Sequence, residues 1–504
     1  MGVFSRRLLL KSLIPSTLAA YIGASYAKDT ESATSSVDDK GKDEGAVYVD
    51  DFGADPTGAT DSTPAVMADI QSISGVTNSR YTPESKRYLN VIFGCGVYII
   101  GDIPFISGVM FSGMGRWATR IVPKEGSSFA FNTVDTVNYA ASKGNTRMRL
   151  IAAGIKEMSI GCELQDINLN NIPKGSGGIR LSNASYFILE NVVIRSLDGC
   201  GLRLEEVWDS DFSNIRIMHV GNTKMKDAPC PGMYIGPGDN ASDGNNALRF
   251  RGLHIEDCPQ LLQIDERTRH IFFTSPKLEG TRTKAPNTIT GGIGIVFDCA
   301  ELTWQYPYKP MFIIDHKNPN EGVGIVFNSP AIISSDSEGK NGWYFLHKDN
   351  PYGFLSINNP FIKSASKLFE GSSVIVNGGS GFASGPSIIR SYGQSHISNL
   401  HLKFVRPQKM RTQDYTIHLS GEANTVKGCS FESSDGFANF DAKDAVIYLD
   451  NTCGNNIISE NIFFGSRDYG IRNDSEKNNI IASNIISENS KYKSAISDIR
   501  KDNQ

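Results

Sequence analysis

The sequence lacks a strong excess of either charge and any arrangement of cysteines that indicates a metal or redox site. Its 504 residues include 50 basic and 54 acidic side chains, and a net charge of −4 does not indicate a nucleic-acid-binding surface. With 39% apolar and 21% charged residues, the composition is that of an ordinary soluble protein. Eight scattered cysteines without CxxC or zinc spacing are expected to be small buried thiols: Cys95, Cys162, Cys200, Cys230, Cys258, Cys299, Cys429 and Cys453.

An apolar run long enough to span a bilayer is also lacking near the start of the chain. The run over 12–24 is short and contains Pro15, which argues against a stable membrane span. Residues 5–11 (SRRLLLK) resemble the twin-arginine export consensus, and 25–27 (SYA) resemble a cleavage site. We therefore predict an export signal over 1–27, with a plain Sec signal or an uncleaved anchor as alternatives.

The export prediction has consequences for the rest of the chain. Residues 28–46 are polar and charged and form a predicted linker, and the globular domain is predicted over 47–504. A twin-arginine substrate folds in the reducing cytoplasm, which fits cysteines that show no disulfide framework. The mature protein is expected in the periplasm or outside the cell, without a membrane span.

The stretch Val47 to Asp69 predicts a strand, a tight turn and a short amphipathic helix. Residues 55–58 (DPTG) supply turn chemistry, because proline fixes φ and glycine accepts a positive φ. Residues 61–63 (DST) are candidate helix N-caps, and Pro64 suits the first helical position. Val66 and Ile70 then follow at helical spacing.

The same stretch carries a family resemblance. Residues 51–63 (DFGADPTGATDST) are similar to the DFGAxGDGxTDDT opening of the pectate-lyase-like β-helix superfamily. Residues 91–100 and 107–116 resemble that family's first turns, "VxFPxGxYxI" and "SGVxLxGxG", with Gly94 replacing the usual proline. The superfamily includes phage tailspike depolymerases, polygalacturonases and β-helix proteins of exopolysaccharide gene clusters. The resemblance implies an all-β, right-handed, single-stranded parallel β-helix with a short N-terminal capping helix.

A repeat of 23 residues supports this fold independently. Strand-like segments are 23 residues apart at 191–194 and 214–217, at 253–255 and 276–278, and again at 455–462 and 478–485. Such a period with alternating apolar residues and asparagine-rich corners is typical of one β-helix rung. An insertion over 220–247 separates the first two pairs. The stretches 282–350 and 366–394 break the period and are predicted to be loops or irregular rungs, where binding sites often lie.

Aligning the repeats brings charged residues into outward ladders. One ladder is predicted to contain Val193, Arg216, His254 and Lys277, and the next to contain Arg195, Met218, Glu256 and Glu279. Neighbouring rungs are about 4.8 Å apart.

The carboxyls of Glu256 and Glu279 would then lie about 5 Å apart, the separation of a retaining glycosidase pair. One carboxyl pKa is expected to rise because two close carboxylates cannot both ionise without cost. The cationic ladder of Arg216, His254 and Lys277 would bind acid groups of a glycan. The same set permits β-elimination at a uronate, with His254 or Lys277 as base. A solvated face with cross-strand ion pairs is the plain alternative.

Further candidates come from outside these ladders. Asp209 and Asp211 are predicted at a corner, either reaching over the same face as catalytic carboxylates or capping the turn. Arg195 is a candidate substrate-binding residue. Trp304, Tyr306 and Tyr308 are candidates for a sugar-stacking platform, although loop aromatics that pack on the coil are an equal alternative.

The resemblance implies a class of function rather than one substrate. The NTD, DD, GHG and RIK strings of polygalacturonases are missing, and no convincing calcium-carboxylate motif of pectate lyases is found. We predict an exported glycosidase or lyase that acts on an acidic bacterial exo- or capsular polysaccharide, with no cofactor or metal and with a possible homotrimer. The alternatives are a non-catalytic glycan-binding protein of exopolysaccharide assembly and a phage tailspike, although tailspikes normally lack a signal peptide.

Overall fold

The computed structural model describes residues 46–77, 89–133, 149–162, 174–221, 230–238, 243–281, 283–305, 309–316, 323–334, 342–348, 353–365, 367–383, 388–404, 415–433, 445–464, 469–487 and 494–498. The predicted export signal and linker, apart from Ala46, lie outside this part of the chain. Within it, no helix is long and apolar enough to cross a bilayer.

The N-terminal strand, turn and helix are confirmed. After strand Ala46–Tyr48, a 3-10 turn over Val49–Phe52 ends at Gly53, whose φ of 85° is left-handed. Asp55 then accepts backbone hydrogen bonds from Thr57 and Thr60, which fixes the following turn. The helix, α1, spans Thr63–Thr77. Val66 and Ile70 are buried on it, so α1 covers the first rung with its apolar face.

Every strand pairs in parallel, and the chain winds round one axis as a right-handed β-helix, as predicted. Each complete rung contributes one strand to each of three sheets. Sheet 1 comprises Phe129–Asn132, Gly177–Ser185, Leu202–Trp208, Pro231–Gly236, Gln260–Ile264, Asn287–Ile289, Phe312–Ile314, Phe345–His347, Phe369–Gly371, Ile389–Ser391, Ile417–Leu419, Ala445–Leu449, Tyr469–Asn473 and Ser494–Asp498.

Sheet 2 follows sheet 1 within each rung, and two of its long strands bend onward into sheet 3. It comprises Ala46–Tyr48, Leu89–Ile92, Val109–Ser112, Leu150–Ile151, Gly154–Gly161, Ile188–Leu197, Asp211–Ser213, Asn246–Arg251, Arg269–Thr274, Ile293–Asp298, Val323–Asn328, Gly353–Asn358, Val374–Asn377, His396–Ser398, Thr425–Lys427, Ile457–Ser459 and Ile480–Ala482.

Sheet 3 completes the rung and carries the predicted ladders. It comprises Thr57–Asp61, Gly96–Ile100, Thr119–Pro123, Arg216–Val220, His254–Glu256, Lys277–Gly280, Glu301–Trp304, Ala331–Ile333, Phe361–Ala365, Ser380–Ala383, His401–Phe404, Ser430–Ser433, Ile462–Phe464 and Ile485–Ile486.

The corner between sheets 2 and 3 is the same in successive rungs. From Asp211–Ser213 onward it contains two residues, and the first has a positive φ. Asparagine and glycine adopt this conformation most easily. Because this corner does not vary in length, sheets 2 and 3 stay in register while the other corners lengthen. Its left-handed residues are Asn214, Gly252, Ser275, Cys299, Ser329, Asn359, Gly378, Asn399, Gly428, Glu460 and Ser483.

Aromatic rings and asparagines stack along the interior. Phe212, Phe250, Phe273, Phe297 and Phe327 form one column, with successive ring centroids 4.5–4.8 Å apart. At the C-terminal corners the expected asparagine contacts are present. The side-chain oxygens of Asn479 and Asn484, for example, accept backbone hydrogen bonds from the preceding rung. Each rung thus satisfies both the apolar and the polar groups of its neighbour.

Three sequence predictions need correction. The stretches 282–350 and 366–394 contribute strands to all three sheets, so they are regular rungs with longer corners. The predicted insertion over 220–247 contains the sheet 1 strand Pro231–Gly236. All eight cysteines are free thiols, but Cys95 and Cys299 are exposed, so the expectation of burial is wrong for these two.

Candidate active site

The register predicted for sheet 3 is confirmed. Val193 pairs with Arg216, which pairs in turn with His254 and then Lys277. In the adjacent ladder, Glu256 lies directly beside Glu279. Alternation puts these side chains outside and Ile255 and Leu278 in the core. The fixed corner before each strand explains why simple periodicity was sufficient here.

His254 lies between the two carboxylates. Its Nε2 atom is 3.4 Å from Glu256 Oε2 and 3.3 Å from Glu279 Oε2. One ligand atom from each of the three residues lies within 4.8 Å of the other two, and no other trio of this kind is found in the part of the chain that the structure describes. The trio is geometrically able to contact one cation, but the surrounding charges already neutralise the carboxylates.

Two cations flank this trio. Arg216 Nη2 is 2.7 Å from Glu256 Oε1, and Lys277 Nζ is 3.1 Å from Glu279 Oε2. Lys277 also lies 3.2 Å from Glu301, its partner on the next rung. Glu256 and Glu279 are only partly covered, with side-chain exposures of 18% and 27%. We call Arg216, His254, Glu256, Lys277 and Glu279 the sheet 3 cluster.

The electrostatics of the cluster differ from the sequence prediction. Burial raises the pKa of Glu279, but hydrogen bonds and charge from Lys277 and His254 outweigh it, so the pKa lies below its ordinary value. The expected rise of a carboxyl pKa is therefore wrong for Glu279. Burial lowers the pKa of His254, with Arg216 and Lys277 acting in the same direction and Glu256 opposing them. His254 is thus neutral at pH 7.

These charge states define the tautomer of His254. An ionised carboxylate only accepts hydrogen bonds, so the neutral ring directs its Nε2–H toward Glu279 and Glu256. The lone pair then lies on Nδ1. Carboxylates that orient an imidazole in this way also stabilise the imidazolium that forms when the ring takes up a proton. The arrangement can therefore serve as a base.

The remaining predicted polar residues lie elsewhere. Asp211 belongs to sheet 2, where Arg249 and Arg251 pair with it at 2.9 and 3.2 Å. Those arginines hold the pKa of Asp211 below its usual range, mainly through the Arg249 hydrogen bond. Asp209 has a φ of 47° at the corner between sheets 1 and 2. The expectation that either aspartate reaches over the sheet 3 face is wrong, because they project from another part of the rung.

Arg195 is on the predicted ladder but is buried. The guanidinium lies 5.4 Å from the ring centre of Trp117, and burial lowers the pKa of Arg195. Trp117 itself is 66% exposed and lies on the turn before Thr119–Pro123. The sequence analysis missed Trp117, because nothing in its local pattern distinguishes an exposed tryptophan from a packed one.

The aromatic platform is wrong for Trp304. The side chain is fully buried in the coil, and its Nε1–H donates to the Lys309 carbonyl at 2.9 Å. The residue occupies an inward position, so it packs against neighbouring rungs and is inaccessible to a sugar. Tyr306 and Tyr308 lie outside the described residues. Glu301 was also missed, because the period was not followed past residue 282.

No protein-family description matches this chain. A capsule KN3-specific depolymerase of Klebsiella phage KN3-1 is 22% identical over 290 residues. The match covers 50% of this chain and 36% of that relative, so the chain spans about a third of the relative's length.

Similar solved structures include a DFA-IIIase of Arthrobacter chlorophenolicus A6, with 11% identity, coverage of 82% and 93% of the two chains and a TM-score of 0.47. The mannuronan C-5 epimerase AlgE6 A-module of Azotobacter vinelandii gives 13%, 89%, 99% and 0.36 for the same quantities. The Streptococcus pneumoniae adhesin PfbA gives 13%, 90%, 91% and 0.39. We base no functional argument on similarities this low.

Proposed function

We propose that this protein is an exported enzyme that cleaves an acidic bacterial exo- or capsular polysaccharide on the outer face of sheet 3. The observation that carries the proposal is the contact of His254 Nε2 with both Glu256 and Glu279, between Arg216 and Lys277. The phage capsule depolymerase that is similar over half of the chain supports the same substrate class.

The cluster suits β-elimination at a uronate. Arg216 and Lys277 would exchange part of their ion pairing with Glu256 and Glu279 for the substrate carboxylate. His254 Nδ1 would take the proton from the carbon next to that carboxylate. The released electron pair forms the carbon–carbon double bond, the glycosidic carbon–oxygen bond breaks, and the leaving oxygen takes a proton from solvent.

Retaining hydrolysis is the second candidate. It is favoured by the separation of the carboxylates, since ligand oxygens of Glu256 and Glu279 lie within 4.8 Å. The downward pKa shift of Glu279 makes this carboxyl a nucleophile rather than the acid. Glycan binding without cleavage, in exopolysaccharide assembly or export, is the non-enzymatic alternative.

Product analysis separates these functions. The purified chain is incubated with a panel of acidic capsular polysaccharides and exopolysaccharides, and glycan size, new reducing ends and ultraviolet absorbance of unsaturated uronates are followed. Shortening with new absorbance indicates elimination, and shortening without absorbance indicates hydrolysis. Binding without shortening contradicts the enzymatic proposal.

His254→Asn tests the assigned base. We expect a loss of cleavage of at least about a hundredfold with folding intact, since a positioned general base contributes about that much or more. His401→Asn is the matched control, because His401 lies on the same ladder six rungs further on. Equal activity of both variants would contradict the role of His254.

A further inference from the structure

Sheet 3 carries two exposed phenylalanines beyond the cluster. Phe361 is 50% exposed and Phe382 is 47% exposed, on adjacent rungs. Lys363 pairs directly with Phe382 and follows Phe361 by two residues, so all three face outward together. We call Phe361, Lys363 and Phe382 the aromatic–lysine strip.

The strip lies on the same two ladders as the cluster. Three pairings lead from Lys277 to Phe361, through Glu301 and Ala331. In the neighbouring ladder, Glu279 leads to Lys363 by an equal number of pairings. At about 4.8 Å per rung, the strip begins about 14 Å from the cluster along the coil axis. A linear polymer bound at the cluster and parallel to the axis therefore passes over the strip.

The chemistry of the strip matches a sugar with acid groups. The negative face of an aromatic ring attracts the C–H groups on the face of a sugar ring, and two such faces stand at neighbouring rungs. Exposed phenylalanines around a lysine combine apolar contact with one positive charge. A partner that covers the strip must therefore present both an apolar face and an anion, since a buried ammonium needs a counter-charge.

We propose that the aromatic–lysine strip is a distal binding subsite for an acidic glycan whose reacting linkage lies at the sheet 3 cluster. The inference rests on the proposed function, and it adds the direction of the chain, parallel to the coil axis, and a recognition element remote from the chemistry. The glycan stacks on Phe361 and Phe382, while Lys363 binds an acid group.

Binding and cleavage are measured separately to test the subsite. Phe361→Ala/Phe382→Ala and Lys363→Ser are compared with Phe272→Ala/Phe354→Ala, whose phenylalanines are each 44% exposed but lie on sheet 2. The probes are a long acidic polysaccharide that the wild type binds and a short oligosaccharide cut from it by partial hydrolysis. Affinity for each is measured by titration calorimetry, and assembly mass by light scattering.

We expect the double phenylalanine variant to bind the long glycan at least about tenfold more weakly, since each aromatic contact contributes about 0.5–1.5 kcal/mol. Lys363→Ser should weaken binding by a few-fold at low salt and less at high salt. The short glycan and the sheet 2 control should behave as in the wild type.

Several results would overturn the subsite. They are unchanged long-glycan affinity in the strip variants, an equal loss in the sheet 2 control, or a multi-subunit mass that falls only in the strip variants. The last result would make the strip an interface between copies of the chain. Wild-type binding without cleavage, lost in the strip variants, would keep the subsite and reject the enzymatic proposal. A wild type that binds no acidic glycan would reject both.

Discussion

Glu205 on sheet 1 and Glu256 on sheet 3 are both outward carboxylates of the same coil, and both contact arginine. Glu205 is 2% exposed and accepts hydrogen bonds from Arg180, Arg203 and Ser182. Glu256 is 18% exposed, contacts one arginine and faces the imidazole of His254. A carboxylate whose lone pairs are all taken by cations holds the rungs together, whereas a partly open one beside a neutral imidazole can take part in proton transfer.

The largest expected effect breaks the comparison on the structural side. Glu205→Gln leaves Arg180 and Arg203 facing a neutral group at a buried position, and should lower the free energy of unfolding by about 3–5 kcal/mol. Urea denaturation followed by circular dichroism measures the change. Glu432→Gln is the control, because Glu432 is 50% exposed and its pairing with Lys403 should contribute less than about 1 kcal/mol. Similar losses in both variants would contradict the contrast.

The second effect breaks the comparison on the functional side. Glu256→Gln removes a carboxylate that orients His254, and should lower the rate of glycan cleavage about a hundredfold, which corresponds to about 2.7 kcal/mol of activation free energy. The free energy of unfolding should change by less than about 1 kcal/mol, since the ion pair is solvent-accessible. A variant that cleaves normally but unfolds early would assign Glu256 to structure.

A third carboxylate extends the comparison to a buried group without a partner. Asp69 on α1 is fully buried, and neither oxygen accepts a hydrogen bond from the residues that the structure describes. Burial, together with the charge of Asp51, raises the pKa of Asp69 to about 6.

Because this pKa lies above the ordinary value of 3.8, the folded state holds the proton more tightly, and stability falls as pH rises through the interval from about 4 to 6. Asp69→Asn should therefore raise the free energy of unfolding by about 1–2 kcal/mol above pH 6, with the gain shrinking toward pH 4. Thermal unfolding across this range measures it. A gain that does not depend on pH would exclude ionisation as its cause.

The smallest effect sharpens the electrostatics of the cluster. Since the pKa of His254 is lowered, the neutral base persists below its ordinary value of 6.5, and the acid limb of the pH–rate profile should lie below pH 6.5. Arg216 contributes to this lowering, so Arg216→Gln should move the limb to higher pH. Arg251→Gln on sheet 2 should leave it in place. A limb that does not move with Arg216 would indicate that another group titrates.

Much of the sheet 3 cluster could be predicted from the sequence. The 23-residue period and the alternation of apolar residues were sufficient to pair His254 with Lys277 and Glu256 with Glu279, since inward Ile255 and Leu278 fix the register. The same rule would have found Glu301, 24 residues after Lys277. Longer corners in the following rungs hid the period, although the strands continue.

Accessibility and charge state could not be predicted in this way. Trp304 follows an alternating pattern that is equally compatible with a loop, and only the neighbouring rungs show that it is buried. Trp117, Phe361 and Phe382 have no local signal that distinguishes exposed aromatics from core aromatics. The pKa of Glu279 depends on Lys277 and His254 together, and the sequence predicted the opposite direction because it counted only the second carboxylate.

The sequence by itself determined the coil and the side-by-side position of residues on successive rungs, because a parallel strand with a period of two and a constant corner leaves one register that buries the apolar face. The tertiary structure decided which outward residues remain accessible and which proton each holds. Those properties depend on the distances among charges from several rungs and on the corners that cover them, and neither is encoded in the spacing of any one segment.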